Sequence, residues 1–558
     1  MNAERSRVVI LGGGPAGLVL AIELGRRSVP CVLLEEDAAP PDFPKANATT
    51  SRTMEHYRRL GFAAEIRALG LPEDYPQDIT YFTRCNGWEL ARLKGMTRRE
   101  ARAARAAADS RWPTPEPLHR VQQMLIERVM RAQAAKYPSI DARFGWRASA
   151  PAVAPDGVTV VAEQLTTGKK VRIAADYAAG CEGPKSLVRE AIGARYEGLP
   201  PEERDFLGGR MLSTYLRAPA FYDAIHAPRS WQYWAINAEQ RGVLIAIDGE
   251  GLFIQLSQLP RGQTASVGLG ERAFRRMLGQ DLPHQTLGIA EWTAGFAMVA
   301  ERFCDGNAER NGGPRLFIAG DAAHLFTPTG GQGYNTSVDD AANLGWKLAA
   351  ACQGWGGPGL LASYEQERKP IAHRNTRFAR AMADSLASLA PLPGLEDHTP
   401  AGAALRDELG AKLLLHVHTE FDIPGIHFGV FYGGSAIVCD DGTPAPLDDF
   451  HHYAPHGTPG ARAPHLWLAE DVSIFDRLGS DFTLLRLGGS AADAAALMAA
   501  AKQRGAGLAV LDVPQPEARD AYGRDLVLVR PDHHIAWRGN TLPGDLRGLV
   551  DRVTGWSG

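Results

Sequence analysis

Four apolar residues, Val8-Val9-Ile10-Leu11, run into Gly12-Gly13-Gly14-Pro15-Ala16-Gly17, and helical spacing follows from Leu18 to Arg26. A strand, a GxGxxG turn and a helix in direct succession leave few architectures open. Gly12 permits the tight turn, Gly14 lets backbone approach a pyrophosphate, and Gly17 allows helix and strand to pack closely. Cys31-Val32-Leu33-Leu34 then reads as a second strand. It ends at Glu35, eighteen residues after Gly17, where an acid can hold an adenosine ribose. The start of the chain therefore predicts a βαβ unit that binds a dinucleotide.

A second segment, Arg315 to Thr336, complements the first. Leu316 to Ala319 is an apolar strand that stops at Gly320-Asp321, a Pro/Gly turn follows, and an amphipathic helix opens at its glycines. One acid thus stands beside one bare helix N-terminus. Asp321 can accept a ribityl hydroxyl, and the free N–H groups at Gly331 to Gly333, with the positive end of the helix dipole, suit a ring that gains negative charge. A third stretch, Gly180-Cys181-Glu182-Gly183-Pro184 to Arg189, reads either as a further cofactor motif or simply as a strand-to-helix turn capped by Ser186.

Together these motifs resemble those of the class A FAD-dependent monooxygenases of the p-hydroxybenzoate hydroxylase type. The likeness continues through Pro44-Lys45-Ala46-Asn47, Arg52-Thr53-Met54-Glu55 and Tyr364 to Pro370. In the tail, Phe421 to Gly429, Pro459 to His465 and Val529 to Gly539 are similar to the longer branch with a C-terminal thioredoxin-like domain. That branch contains phenol and chlorophenol hydroxylases and tailoring enzymes for polycyclic natural products.

The resemblance implies an α/β fold. A Rossmann-like FAD-binding domain (1–195 and 301–395) carries an inserted, mostly antiparallel substrate sheet (196–300, with part of the wall near 76–100). A thioredoxin-like domain follows over 400–558. The implied cofactor is FAD, reduced by NADPH or NADH as a transient co-substrate, with O2 forming a flavin C4a-hydroperoxide that attacks an aromatic ring. Gly12, Gly14, Pro15, Ala16, Gly17, Glu35, Lys45, Arg120, Glu182, Asp321, Gly331, Gln332, Gly333 and Asn335 would hold FAD. Pro328, Gly331 and Asn47 would stand at the reacting centre, and Asn47, Trp231, Tyr233, Trp234 and Gln255 would touch the substrate. Two positions depart from the family: Lys45 replaces an Arg, keeping the charge but losing the fork geometry, and Glu182 replaces an Asp. Asn47 stands where phenol hydroxylases often carry Asp or His. It can hydrogen-bond a phenol but cannot take its proton, so the substrate is already acidic or another base acts.

Composition agrees. The 558 residues exceed one typical domain, and 45% hydrophobic residues suffice for two or three cores. A net charge of −4 gives no nucleic-acid signal, and the basic run Arg98 to Arg105 is an alanine-rich solvated face. No apolar run reaches the roughly 20 residues that span a membrane, and Met1 to Arg7 leads into a strand rather than a signal peptide. A cytoplasmic enzyme, as a monomer or a homodimer, is expected. The six cysteines show no CxxC and no zinc spacing, so no metal is expected; with none after Cys439, the tail reads as redox-inert.

Arg210 to Arg217, Ser230 to Ile236, Val243 to Ile247 and Leu252 to Leu259 predict successive strands of a sheet that forms one wall of a pocket. Alternation puts Trp231 and Tyr233 on one face and Gln232 and Trp234 on the other, and which face meets the ligand is open. Baeyer–Villiger oxygenation and non-catalytic FAD binding are the competing readings. Halogenation is disfavoured because the Trp-x-Trp-x-Ile-Pro segment is absent.

Overall fold

The structure, a computed structural model, describes residues 2–105, 111–154, 156–201, 206–306, 313–488 and 494–557. Its organising layer is a five-stranded parallel sheet in the order Leu316–Ile318, Tyr177–Gly180, Val8–Leu11, Cys31–Glu35, Ile140–Phe144. Val8, Val9, Ile10 and Leu11 are fully buried, as a strand covered on both faces requires. Helix Pro15–Gly25 packs on this sheet and, in turn, against helix Gln332–Gln353. Both glycine-bearing turns therefore lie at the same end of the sheet.

The second layer is a seven-stranded sheet in the order Gln285–Ala294, Gly209–Arg217, Leu252–Gln258, Arg241–Ala246, Gln232–Ile236, Ile79–Phe82, Glu89–Leu93. All its pairings are antiparallel except that between Gln232–Ile236 and Ile79–Phe82. Strand Gln285–Ala294, which the sequence reading did not single out, forms one edge. Helix Val267–Leu278 covers one face, with Phe274 and Met277 buried in it. Helix Pro400–Phe421 lies by strands Ile79–Phe82 and Glu89–Leu93, and its Leu409, Leu413 and Val417 join the core of this sheet. The domain boundary expected between 395 and 400 falls in the turn between helices Pro358–Ser388 and Pro400–Phe421, and the chain after it returns to the substrate sheet before entering the tail.

The tail holds a four-stranded sheet, Leu508–Val513, Phe482–Leu487, Leu526–Val529, Ile535–Gly539, with one parallel and two antiparallel pairings. Helices Ala495–Arg504 and Leu546–Val553 pack on it around Leu484, Leu497 and Val550. It is joined to the cofactor half by buried charge. Arg530 grips Glu367 through two bonds of 2.7 and 2.8 Å and Asp532 through two of 2.6 and 3.1 Å, while Lys347 reaches Glu367 at 2.6 Å. Arg462 forms a second clamp on Glu55 at 2.5 and 3.0 Å.

Candidate active site

Gly12 has φ +98°, and a Cβ there would collide with the carbonyl of Cys181; one on Gly17 would collide with the carbonyl of Gly12. Beyond Gly14 there is open space. Helix Pro15–Gly25 begins there with Pro15 in its first turn and no side-chain cap, so the N–H groups around Ala16 and Gly17 are available to a ligand. Glu35 lies beside this turn, one oxygen accepting the Gly13 N–H (2.6 Å) and the other the Asp37 N–H (2.8 Å). A ribose bound here would share that carboxylate with the backbone.

The second turn is held from behind. Asp340, wholly buried, accepts the Gly320 N–H (3.2 Å), His324 Nε2 (2.6 Å) and Arg368 Nε (2.8 Å). Burial would raise its carboxyl, but His324 and Arg368 hold it below the usual range. This buried triplet fixes the strand end that presents Asp321, whose side chain opens to solvent in a cleft. The cleft walls push the Asp321 carboxyl up, against the charges of His324 and Lys45. Lys45 is exposed on the adjoining loop.

Pro328 caps a short turn, Gly330 and Gly331 take left-handed conformations (φ +66° and +64°), and helix Gln332–Gln353 starts at Gly331 without a side-chain cap. A Cβ on Gly331 would approach Ala48 to 3.1 Å, while Gly333 has only Phe326 nearby. Gln332 and Asn335 spend their side chains on protein. Gln332 donates to Gly330 O (2.7 Å). Asn335 donates to Ala48 O (2.9 Å) and Gly331 O (2.7 Å) and accepts from Thr50 N–H and Thr53 Oγ1. These two therefore align the glycine turn with the segment after Asn47. Glu182 caps helix Leu187–Ile192 through Val188 N–H (3.0 Å), leaving its second oxygen buried without a partner.

Asn47 is half-buried, directly before the pairing of Ala48 with Arg120. Arg120 lies 3.6 Å above the Trp231 ring and 6.0 Å from that of Phe421. Burial pushes its guanidinium down to about 9. The Asn47 segment, Arg120 and Trp231 are thus brought together from three distant stretches of the sequence.

The remaining substrate candidates separate by sheet face. Trp234 stacks on Tyr81 at 5.6 Å and donates to Gln232 Oε1. On the same face, Tyr215 meets Phe43 from the Lys45 loop. Tyr81 also lies within the field of Glu420, and Glu420 accepts the Gly330 N–H at 2.8 Å. The Trp234 face therefore looks toward the glycine turn. Tyr233 faces the other way, among Tyr75, Phe82, Phe221 and Phe253. Gln255 shares that side: its amide donates to Gly270 O (3.0 Å) beneath helix Val267–Leu278, so the expected substrate contacts of Gln255 and Tyr233 give way to core packing. Trp231 precedes the strand, and its ring turns to Arg120 and Phe421 instead of following Tyr233.

The residues fit a flavin dinucleotide: two bare helix N-termini, a side-chain-free turn at Gly14 and an open carboxylate at Asp321. Among the described residues no His/Cys/Asp/Glu group could hold a metal ion, and no helix is long and apolar enough to cross a membrane.

Comparison with known proteins bears on this site directly. Residues 5–379 match the family described as FAD binding domain, and residues 456–558 match the aromatic-ring hydroxylase C-terminal family. The FAD-dependent monooxygenase apdD of Emericella nidulans is 30% identical over 96% of this chain and 88% of its own. The 2,4-dichlorophenol 6-monooxygenase of Delftia acidovorans is 29% identical over 98% and 97%. The solved structure of the rebeccamycin biosynthetic enzyme RebC with reduced flavin superposes with a TM-score of 0.87 at 33% identity, covering all of both chains. With motifs, fold and relatives in agreement, the chain belongs to the FAD-dependent aromatic-ring hydroxylases.

Proposed function

We propose that the enzyme hydroxylates a phenol or a hydroxylated polycyclic aromatic compound in the cytoplasm, converting Ar–H, O2, NAD(P)H and a proton into Ar–OH, NAD(P)+ and water. The observation that carries this reading is the stacked aromatic pair of Trp234 and Tyr81, on the sheet face that looks toward the Gly330–Gly331 turn. Relatives named for 2,4-dichlorophenol and rebeccamycin chemistry support both ends of the size range.

FAD, when bound, carries the electrons from the nicotinamide to dioxygen. The chain's own groups have three tasks. The N-termini of helices Pro15–Gly25 and Gln332–Gln353 offer N–H groups and a positive dipole to the diphosphate and to a negatively charged ring. The buried Asp340–His324–Arg368 set keeps Asp321 in place without a cost of reorganisation on binding. The Trp234–Tyr81 wall orients a flat ring and keeps water from it, and that dryness limits the waste of reductant as hydrogen peroxide.

The test is NAD(P)H oxidation by the purified FAD enzyme over a panel of phenols and polycyclic phenols, with product masses. A gain of one oxygen with an intact aromatic ring is expected. Ring expansion, or oxidation of the nicotinamide with no oxygenated product from any member, would overturn the proposal.

A further inference from the structure

Asn47 cannot remove a substrate proton, yet three buried polar atoms on the Trp234 side of the site make no hydrogen bond. Tyr81 Oη is one, at the tip of a side chain with no solvent exposure. The others are Glu420 Oε2 and His416 Nε2, on residues each about 3% exposed. His416 Nε2 stands 3.0 Å from Glu420 Oε2, but the contact misses the alignment of a hydrogen bond. Natural interiors rarely leave such atoms without hydrogen bonds, and a Tyr81 hydroxyl with no partner, together with a His416–Glu420 ion contact of poor alignment, points to a ligand that completes them.

Their setting is built. Glu420 lies in the last turn of helix Pro400–Phe421, its Oε1 accepting the Gly330 N–H (2.8 Å), so the carboxylate is tied to the glycine turn of the cofactor site. His416, one turn earlier, is anchored through Nδ1 to Ser385 Oγ (3.0 Å) of the neighbouring helix Pro358–Ser388. Tyr81 comes from the sheet, stacked on Trp234. Burial, then the charge of Glu420, raises the Tyr81 hydroxyl far above its ordinary range, so it remains a donor at every pH the protein meets. Arg120 completes the charged groups at this end, over the ring of Phe421, next in sequence to Glu420.

We propose that Glu420 is the base that takes the phenolic proton of the substrate, steered by His416, and that the Tyr81 hydroxyl donates to the oxyanion formed. The substrate O–H bond breaks, an O–H bond forms at Glu420 Oε2, and the electron pair stays on the substrate oxygen, where it activates the ring carbons ortho and para to it. The inference rests on the reading of the enzyme as a phenol hydroxylase and names the base which that reading lacks.

The probe is 4-nitrophenol, whose ionised form has its own visible band, titrated into the FAD holoenzyme across pH. In the parent, bound probe ionises below its solution pKa; in Glu420→Gln, whose amide oxygen can still accept from Gly330, bound probe stays neutral until the solution pKa; Tyr81→Phe lies between. With the phenol that the parent hydroxylates fastest, Glu420→Gln loses about 10²-fold or more in hydroxylation rate below that phenol's pKa and recovers above it. FAD content and melting temperature confirm that each variant is folded. Should Glu420→Gln misfold, Tyr81→Phe carries the test through the same titration. Failure of the parent to bind or ionise the probe, or parent-like pH profiles in the variants, overturns the inference. Unchanged hydroxylation in Glu420→Gln sinks this role alone, whereas a parent that oxygenates no phenol sinks the functional reading beneath it.

Discussion

Asp321 and Asp340 lie near each other and do opposite work. Asp340 is saturated by protein donors, whereas Asp321 opens into the cleft. Asp321→Ala should therefore purify folded but pale. Losing a charge-assisted bond to a cofactor hydroxyl costs roughly 1.5–3 kcal/mol, or about ten- to a hundredfold in affinity. Flavin titration of the apoprotein checks this, and unchanged affinity would place the ribityl chain elsewhere. Asp340→Asn should instead lower the melting temperature, because His324 and Arg368 lose a buried charge between them. At this scale the sequence made the motif residues legible, since GxGxxG and Gly320-Asp321 need only local spacing. It could not show Arg120 over Trp231, or Glu420 beside the glycine turn, because those contacts join segments some ninety to a hundred and ten residues apart. Nor could it show that Gln332 and Asn335 turn inward to brace the backbone.

Strand positions in the substrate sheet follow from alternation, but the sense of its two faces is set by the helices that cover them. Helix Val267–Leu278 lies close on one face because Gly270 has no side chain to strike Thr214. Helix Pro400–Phe421 makes the corresponding approach near the opposite edge, where a Cβ on Gly410 would strike the carbonyl of Leu90. A strand pattern carries no information about such approaches, so Tyr233 and Trp234 looked equivalent. Gly410→Ala should lift the helix and displace Glu420 with it. Overpacking of this kind costs about 1–3 kcal/mol. A lower melting temperature together with less product per nicotinamide oxidised is expected, and a variant equal to the parent in both would show that the helix end does not position the site.

At the scale of the whole molecule, buried charge joins the tail to the cofactor half. Cys439, the last cysteine, is half-buried, its N–H donates to Ala536 O, and burial raises its thiol; Cys439→Ser should leave turnover unchanged. What binds the tail is a set of buried carboxylates that must stay ionised. Burial would raise the Glu55 carboxyl, but Arg462 and Arg52 pull it down to about 2 from an ordinary 4.5. Glu367 is likewise held far below its usual range by Arg530 and Lys347. A carboxyl depressed in the folded state contributes stability that is present above its unfolded pKa and is lost as pH falls through the folded value. For Glu55 that window runs from about 4.5 to about 2, and a shift of that size corresponds to roughly 3 kcal/mol. Glu367 extends the loss further into acid. Urea unfolding at a series of pH values should show stability nearly flat near neutrality and falling steeply below about pH 4.5, with the tail leaving the cofactor half. Glu55→Gln, which cannot ionise, should be less stable at neutral pH and show a shallower acid slope. A variant with the parent's slope would mean that the Glu55–Arg462 clamp does not hold the two halves together.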